Sequence, residues 1–277
     1  MIYLYLKGRF GNQLYQFGAA LRLAKKNVNL IRINLRDLPN PGEFRLHELL
    51  SKEDLPGFVT DAEMQLSPIS GHTYSLRDTL NGAFFDQPLL DTEIDLSSNN
   101  VILEGYYQSG KNLATLREYV YQDVVFARSP LLSKIKPLPS ETIVAHYRMG
   151  DYLKPDVQGI LGLINLSYLD NAIEKLWDRK NEMIIFSDGD EVRKRYENKI
   201  GIRVETAGSD IDTYKTMLAA STLIVPNSTF SLSAGFLSPY AKKICRPLLW
   251  SRKYFSDDLS MGIHTKVLSE SNTFYSL

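Results

Sequence analysis

With a single cysteine, Cys245, among 277 residues, the chain can form neither an internal disulfide nor a cysteine-based zinc site. A reducing compartment fits that count, with Cys245 as a small core residue. An excess of one charge is missing too. Lys plus Arg and Asp plus Glu both number 32, so no overall field recruits nucleic acid or anionic lipid, and any cationic site must be local. No apolar run reaches the roughly 18 residues of a membrane span. The stretch Met1 to Lys7 is too short for a signal peptide and has no basic segment before it. A cytoplasmic location is expected, with peripheral membrane contact where a substrate is lipid-linked. Internal repeats and low-complexity tracts are absent. His47, His72 and His264 have no ligand-like spacing. There is no G-x-S-x-G elbow and no Ser or Cys with an obvious paired His, which argues against acyl transfer.

What is present is soluble globular composition, 44% hydrophobic and 23% charged, at a length that suits two domains. Lys136-Pro137-Leu138-Pro139 is the best linker, which divides the chain into 1–138 and 139–277. The stretch Pro139 to Tyr152 organises the second half. Thr142 to Ala145 is a β-branched apolar run that predicts a buried strand, and it leads out through His146-Tyr147-Arg148 to a break at Gly150. Alternate side chains of a strand share a face, so His146 and Arg148 point the same way at its carboxyl end. Open α/β sheets bind ligands there. An imidazole with a guanidinium suits a ligand with a polar ring and an anionic group, such as a nucleoside diphosphate. A strand end that merely turns polar on reaching solvent has the same appearance.

The first half opens with a strand, Ile2 to Leu6, then Gly8 and Gly11, then helical spacing of Leu14, Phe17, Ala20, Leu21 and Ala24. Strand, glycine turn, helix brings backbone N–H groups to a ligand at a helix start. The pattern is neither G-x-G-x-x-G nor a P-loop. Asn12 and Gln13 add amides suited to a sugar or phosphate. Val28 to Leu35 reads as a second strand, whereas Arg36 to about Asn100 is irregular and proline-punctuated. Val101 to Leu103 reads as a strand ending in Tyr106-Tyr107-Gln108, either a sugar platform or ordinary half-buried tyrosines. Leu113 to Val120 reads as a helix. Beyond the linker, strands around Ile143, Ile184, Ile202, Leu223 and Ile244 alternate with helices, which predicts an α/β fold with a parallel sheet.

Three strand ends carry matched equipment: His146 with Arg148, Ser187 with Asp188, and Asn227-Ser228-Thr229 running into Phe230-Ser231. In a parallel sheet they share one edge. The last group is either a helix cap or, with the N–H groups of a first turn, an anion site. Asp188-Gly189-Asp190 also has the D-x-D spacing with which carboxylates hold a divalent metal, so a metal-dependent transferase of another sugar nucleotide competes. Asp190 as a helix-capping residue is the plainer reading.

Taken together these motifs resemble glycosyltransferase family 11, the α-1,2-fucosyltransferases. G-R-F-G-N-Q-L-Y-Q-F (8–17) is similar to the family's G-x-x-G-N-Q-[LM]-[FY]-Q-[YF], and H-Y-R-M-G-D-Y (146–152) to H-x-R-R-G-D-Y. N-S-T-F-S (227–231) is the same as in bacterial members. F-S-D (186–188) and E-G-Y-Y-Q-S (104–109) also fit in position. Met149 departs from the second arginine, and Leu232-Ser233 from a pair of tryptophans.

The resemblance implies a GT-B-like fold, two Rossmann-type domains with a cleft between them, the N-terminal one on the acceptor side and the C-terminal one holding GDP-β-L-fucose. It implies metal-independent, inverting α-1,2 transfer onto galactose, without a cofactor. Donor contacts are expected from Gly11, Asn12, Gln13, His146, Arg148, Ser187, Asp188, Asn227, Ser228, Thr229, Phe230 and Ser231. Arg148 would neutralise the β-phosphate, and His146 and Asp188 would hold the guanine or ribose. The sugar platform of Tyr106, Tyr107 and Gln108 would face the acceptor. Asp151 either activates the acceptor hydroxyl or fixes its loop through backbone N–H groups. A non-catalytic GDP-sugar-binding module is the remaining alternative.

Overall fold

The computed structural model describes residues 1–66, 72–77, 94–206, 209–248 and 266–270. The chain divides into two compact units, the first spanning Met1–Lys134 and the second beginning at Ile135. Pro68, Pro88 and His264 lie outside the described residues.

The first unit runs β1 (Ile2–Tyr5), α1 (Phe10–Leu23), β2 (Ile31–Asn34), α2 (Leu46–Leu49), β3 (Gly57–Phe58), α3 (Asp61–Leu66), β4 (Thr73–Arg77), β5 (Asn100–Glu104), α4 (Gly110–Val120) and α5 (Asp123–Arg128). Its sheet is parallel, in the order β3-β2-β1-β5-β4. Every residue of β1 is buried, as a strand flanked on both sides and covered on both faces requires. The sequence reading needs correction at Val28–Leu30. These residues form a 3-10 turn, because Asn27 accepts a hydrogen bond from the Asn29 N–H and diverts the backbone from the ladder. The strand begins only at Ile31.

Gly8 adopts φ +70°, and a Cβ there would come within 2.5 Å of the Asn12 amide nitrogen. Only glycine makes this turn without strain. Helix α1 then buries all but Asn12 and Arg22 of its residues. It crosses α4 so closely that a Cβ on Gly18 would lie 2.2 Å from the Asn112 carbonyl oxygen.

The second unit runs β6 (Ile143–Tyr147), α6 (Pro155–Ile160), α7 (Leu166–Leu176), β7 (Met183–Ser187), α8 (Asp190–Tyr196), β8 (Ile202–Thr206), α9 (Asp210–Ala219), β9 (Thr222–Ile224), α10 (Thr229–Leu237), β10 (Lys243–Pro247) and β11 (Lys266–Glu270). Its parallel sheet has the order β11-β10-β9-β6-β7-β8. Counting from β6, this is the doubly wound arrangement 6-5-4-1-2-3, whose order reverses between β6 and β9. Two α/β units, each on a parallel sheet, constitute the α/β, GT-B-like class expected. Strands β6 and β7 are buried throughout, and Cys245 is buried in the core. Helix α7 starts where Asn165 accepts from the Ser167 N–H, and α9 where Ser209 accepts from the Asp212 N–H; both are ordinary side-chain caps. No helix among the described residues is long and apolar enough to cross a membrane.

Candidate functional site

The reversal of strand order means that the connections leaving β6 and β9 pass to opposite faces of the sheet, opening a crevice at their carboxyl ends. The last rung between them pairs Ala145 with Ile224. Three residues beyond it in each segment, past the ends of both strands, come Arg148 and Asn227. The loops are joined directly. Tyr152 donates its hydroxyl hydrogen to the Asn227 carbonyl at 2.6 Å, and the His146 ring lies tilted on Phe230 in the first turn of α10, centroids 5.8 Å apart. Tyr168 steadies the approach from below by donating to the Val225 carbonyl at 2.7 Å.

His146 is 9% exposed, and its Nδ1 is buried without a hydrogen-bond partner. Burial, and secondarily the Arg148 charge, lower its pKa to about 4, against a smaller opposing pull from Asp188. The imidazole is therefore neutral at pH 7 and offers a ring nitrogen rather than a charge. A stability consequence follows with a definite sign. The unfolded chain takes up a proton near pH 6.5 and the folded chain only near 4, so stability falls as pH drops through that window. Going from pH 7 to 5 should cost about 2 kcal/mol through this group. Urea unfolding at both pH values should show the loss in the native chain and a smaller loss in His146→Gln; equal losses would refute the assignment.

Arg148 is half-buried. Helix α10 supplies the second element. Ser228 is its N-cap, yet its hydroxyl makes no capping bond. Asn227 gives its amide hydrogens to the Leu161 and Gly162 carbonyls at 3.2 and 3.0 Å. Simple side-chain capping by Ser228 thus does not explain this Asn-Ser-Thr run, which starts a helix at the carboxyl edge of the sheet, where first-turn N–H groups favour an anion. Ser231 is fully buried and Thr229 and Phe230 half-buried. The departures from the family motif resolve as packing. Leu232 and Ser233 are both fully buried, Ser233 bonding the Tyr214 hydroxyl at 3.1 Å, and Met149 belongs to the core cluster.

The third strand end behaves differently. The Ser187 hydroxyl accepts from the Gly189 N–H at 3.1 Å, shaping the turn. Asp188 accepts from the Met149 N–H at 2.6 Å. Asp190 opens α8 and sits in its first turn, where a carboxylate favours the helix. Among the described residues no three of His, Cys, Asp or Glu converge as a metal site. Asp151 lies in the 3-10 turn Gly150–Leu153, with its side chain outside the described residues.

In the first unit several expected ligands are turned inward. Gln13 is fully buried; its amide donates to the Gly8 and Glu43 carbonyls at 3.0 and 2.7 Å and accepts from the Arg45 N–H at 2.9 Å. It is a pin between α1 and the following loop. Tyr107 is likewise fully buried, at φ +49°, with its hydroxyl on the Leu76 carbonyl, so it offers no face to a sugar. Tyr106 is half-buried, and the buried Gln108 donates to Asn12 Oδ1 at 3.1 Å. That bond joins the first turn of α1 to the segment after β5, beside the point where the first sheet reverses its order. Gly11 is buried within α1.

Residues missed by sequence reasoning are Tyr152, Tyr168 and Gln16. The Gln16 amide bonds both the N–H and the carbonyl of Lys7, at 3.1 and 3.0 Å. Polar residues at helical spacing among apolar ones were the available signal.

Residues 1–244 match the family model described as glycosyl transferase family 11. No curated protein matches the chain significantly. Among solved structures it is similar to the fucosyltransferase NodZ from Bradyrhizobium at 13% identity and TM-score 0.48, covering 86% of this chain and 92% of that one. It is also similar to POFUT1 in complex with GDP at 14% identity and TM-score 0.47, covering 88% and 97%.

Proposed function

The chain belongs to glycosyl transferase family 11, and from that premise we propose that it transfers L-fucose from GDP-β-L-fucose to the 2-hydroxyl of a galactose residue. The acceptor is a surface glycan or its lipid-linked precursor, and the product an α-1,2 linkage formed with inversion and without a metal. The observation that carries this reading is that Arg148 and the segment leading into α10 leave neighbouring strand ends at the switch point of the second sheet, with Tyr152 and His146 bonding or packing against that segment.

The chemistry follows from where charge develops. As the fucose C1–oxygen bond breaks, negative charge gathers on the β-phosphate. Arg148 neutralises it, and the first-turn N–H groups of α10 add partial positive charge. A guanidinium and a helix start take over what a divalent cation does elsewhere. The neutral His146 presents Nδ1 to the guanine or ribose. The acceptor hydroxyl attacks C1 from the face opposite the diphosphate, which inverts the centre, and Asp151 takes its proton as general base.

The test incubates the protein with GDP-fucose and a panel of galactosides, with and without EDTA, reading GDP release and assigning the product linkage by NMR. Turnover that persists in EDTA and yields an α-1,2 product is expected. Loss of turnover in EDTA would favour a metal site at Asp188 and Asp190. GDP binding without turnover on any galactoside would favour a binding module.

A further inference from the structure

We propose that Asp188 is a positioning residue for Arg148 and does not itself touch the nucleotide; the inference rests on the donor-site reading above. The β6–β7 ladder ends at the rung between Tyr147 and Ser187. Arg148 and Asp188 are the first residues past it. There the Asp188 carboxylate bridges the two segments. Its Oδ1 accepts from the Met149 N–H at 2.6 Å, a short bond to an ionised acceptor of the stronger kind. Its other oxygen lies over Gly150, where an added Cβ would sit 2.4 Å from Oδ2.

The fit is reciprocal. A Cβ on Gly189 would lie 2.0 Å from Met149 Sδ, so each loop leaves room for the other's side chain. Both carboxylate oxygens thus face main chain at 149 and 150, and the peptide joined to Arg148 is fixed on its carboxyl side. The two glycines are accounted for as well: one admits the carboxylate, the other the thioether. A guanidinium misplaced by about 1 Å loses on the order of 10²-fold in rate, which sets the size of the effect.

The experiment compares GDP with GMP, which lacks the phosphate assigned to Arg148, by calorimetry on the full chain. Asp188→Ala and Gly150→Ala should each weaken GDP binding about 10- to 100-fold and lower kcat, with GMP affinity unchanged. The double variant should be no worse than either single one, since both break the same contact. Asp188→Asn, which keeps a carbonyl acceptor for the Met149 N–H, should recover most of the loss. If Gly150→Ala does not fold, Asp188→Asn against Asp188→Ala decides alone. Equal losses for GDP and GMP in Asp188→Ala, or an Asn variant as poor as Ala, would overturn the inference and return Asp188 to the base or ribose. A native chain that binds no GDP refutes the donor site itself, a distinct outcome that removes this inference with it.

Discussion

Replacing Arg148 by alanine should lower kcat by roughly 10²–10³, the usual cost of removing one preorganised contact to developing charge. The residue follows directly on β6 at the switch point, and the charge it meets exists in full only as the sugar leaves. The loss should therefore fall more heavily on kcat than on KM. Arg148→Lys should recover only part of the rate, because an ammonium is a point charge that cannot present two parallel donors to a phosphate. Initial rates of GDP release from GDP-fucose with a galactoside give both constants, and thermal unfolding separates the effect from misfolding. A loss below about tenfold would mean that the leaving group is held by something else.

Gly18→Ala is expected to destabilise the first unit by about 3 kcal/mol. Two effects oppose each other. Alanine in a helix interior is better than glycine by about 1 kcal/mol. Against that, the new methyl would lie 2.2 Å from the Asn112 carbonyl oxygen, and this obstacle is backbone rather than the end of a flexible side chain. Helix α1 cannot retreat, since its residues are buried along nearly the whole length. Overpacking therefore wins. Urea unfolding of the variant should show a lower midpoint with an unchanged m value, and a midpoint equal to or above that of the native chain would refute the close approach.

Local signals carried the second unit well. Strands β6 and β7 are continuous apolar runs that end in polar residues. The ends of those strands were visible because chemistry begins where the apolar run stops. The first unit was legible at β1, α1, the Ile31–Asn34 part of β2, β5 and α4. Strand β3 has two residues, too few for any period, and β4 (T-Y-S-L-R) lies in a stretch without clear flanks.

The surroundings of the expected site residues were out of reach of the sequence for a different reason. Gln13 and Tyr107 look like ligands in sequence because their polar groups have no visible local partner. Those partners, the Glu43 and Leu76 carbonyls, lie 30 and 31 residues away, and only the folded chain supplies them. Asp188 is the mirror case. A carboxylate at a strand end reads as a ligand, while the bond to the Met149 N–H crosses 39 residues.

The sheet order of the first unit also dictates when that unit can fold. Its central strand pairs Ile2 with Val101, so the second edge of β1 stays open until β5 has been synthesised. A nascent chain released before that point would present an uncovered apolar strand to its neighbours, a template for misassembly. Closing so long a loop before any contact rewards it is slow, so β1 waits for β5 before its second edge is covered.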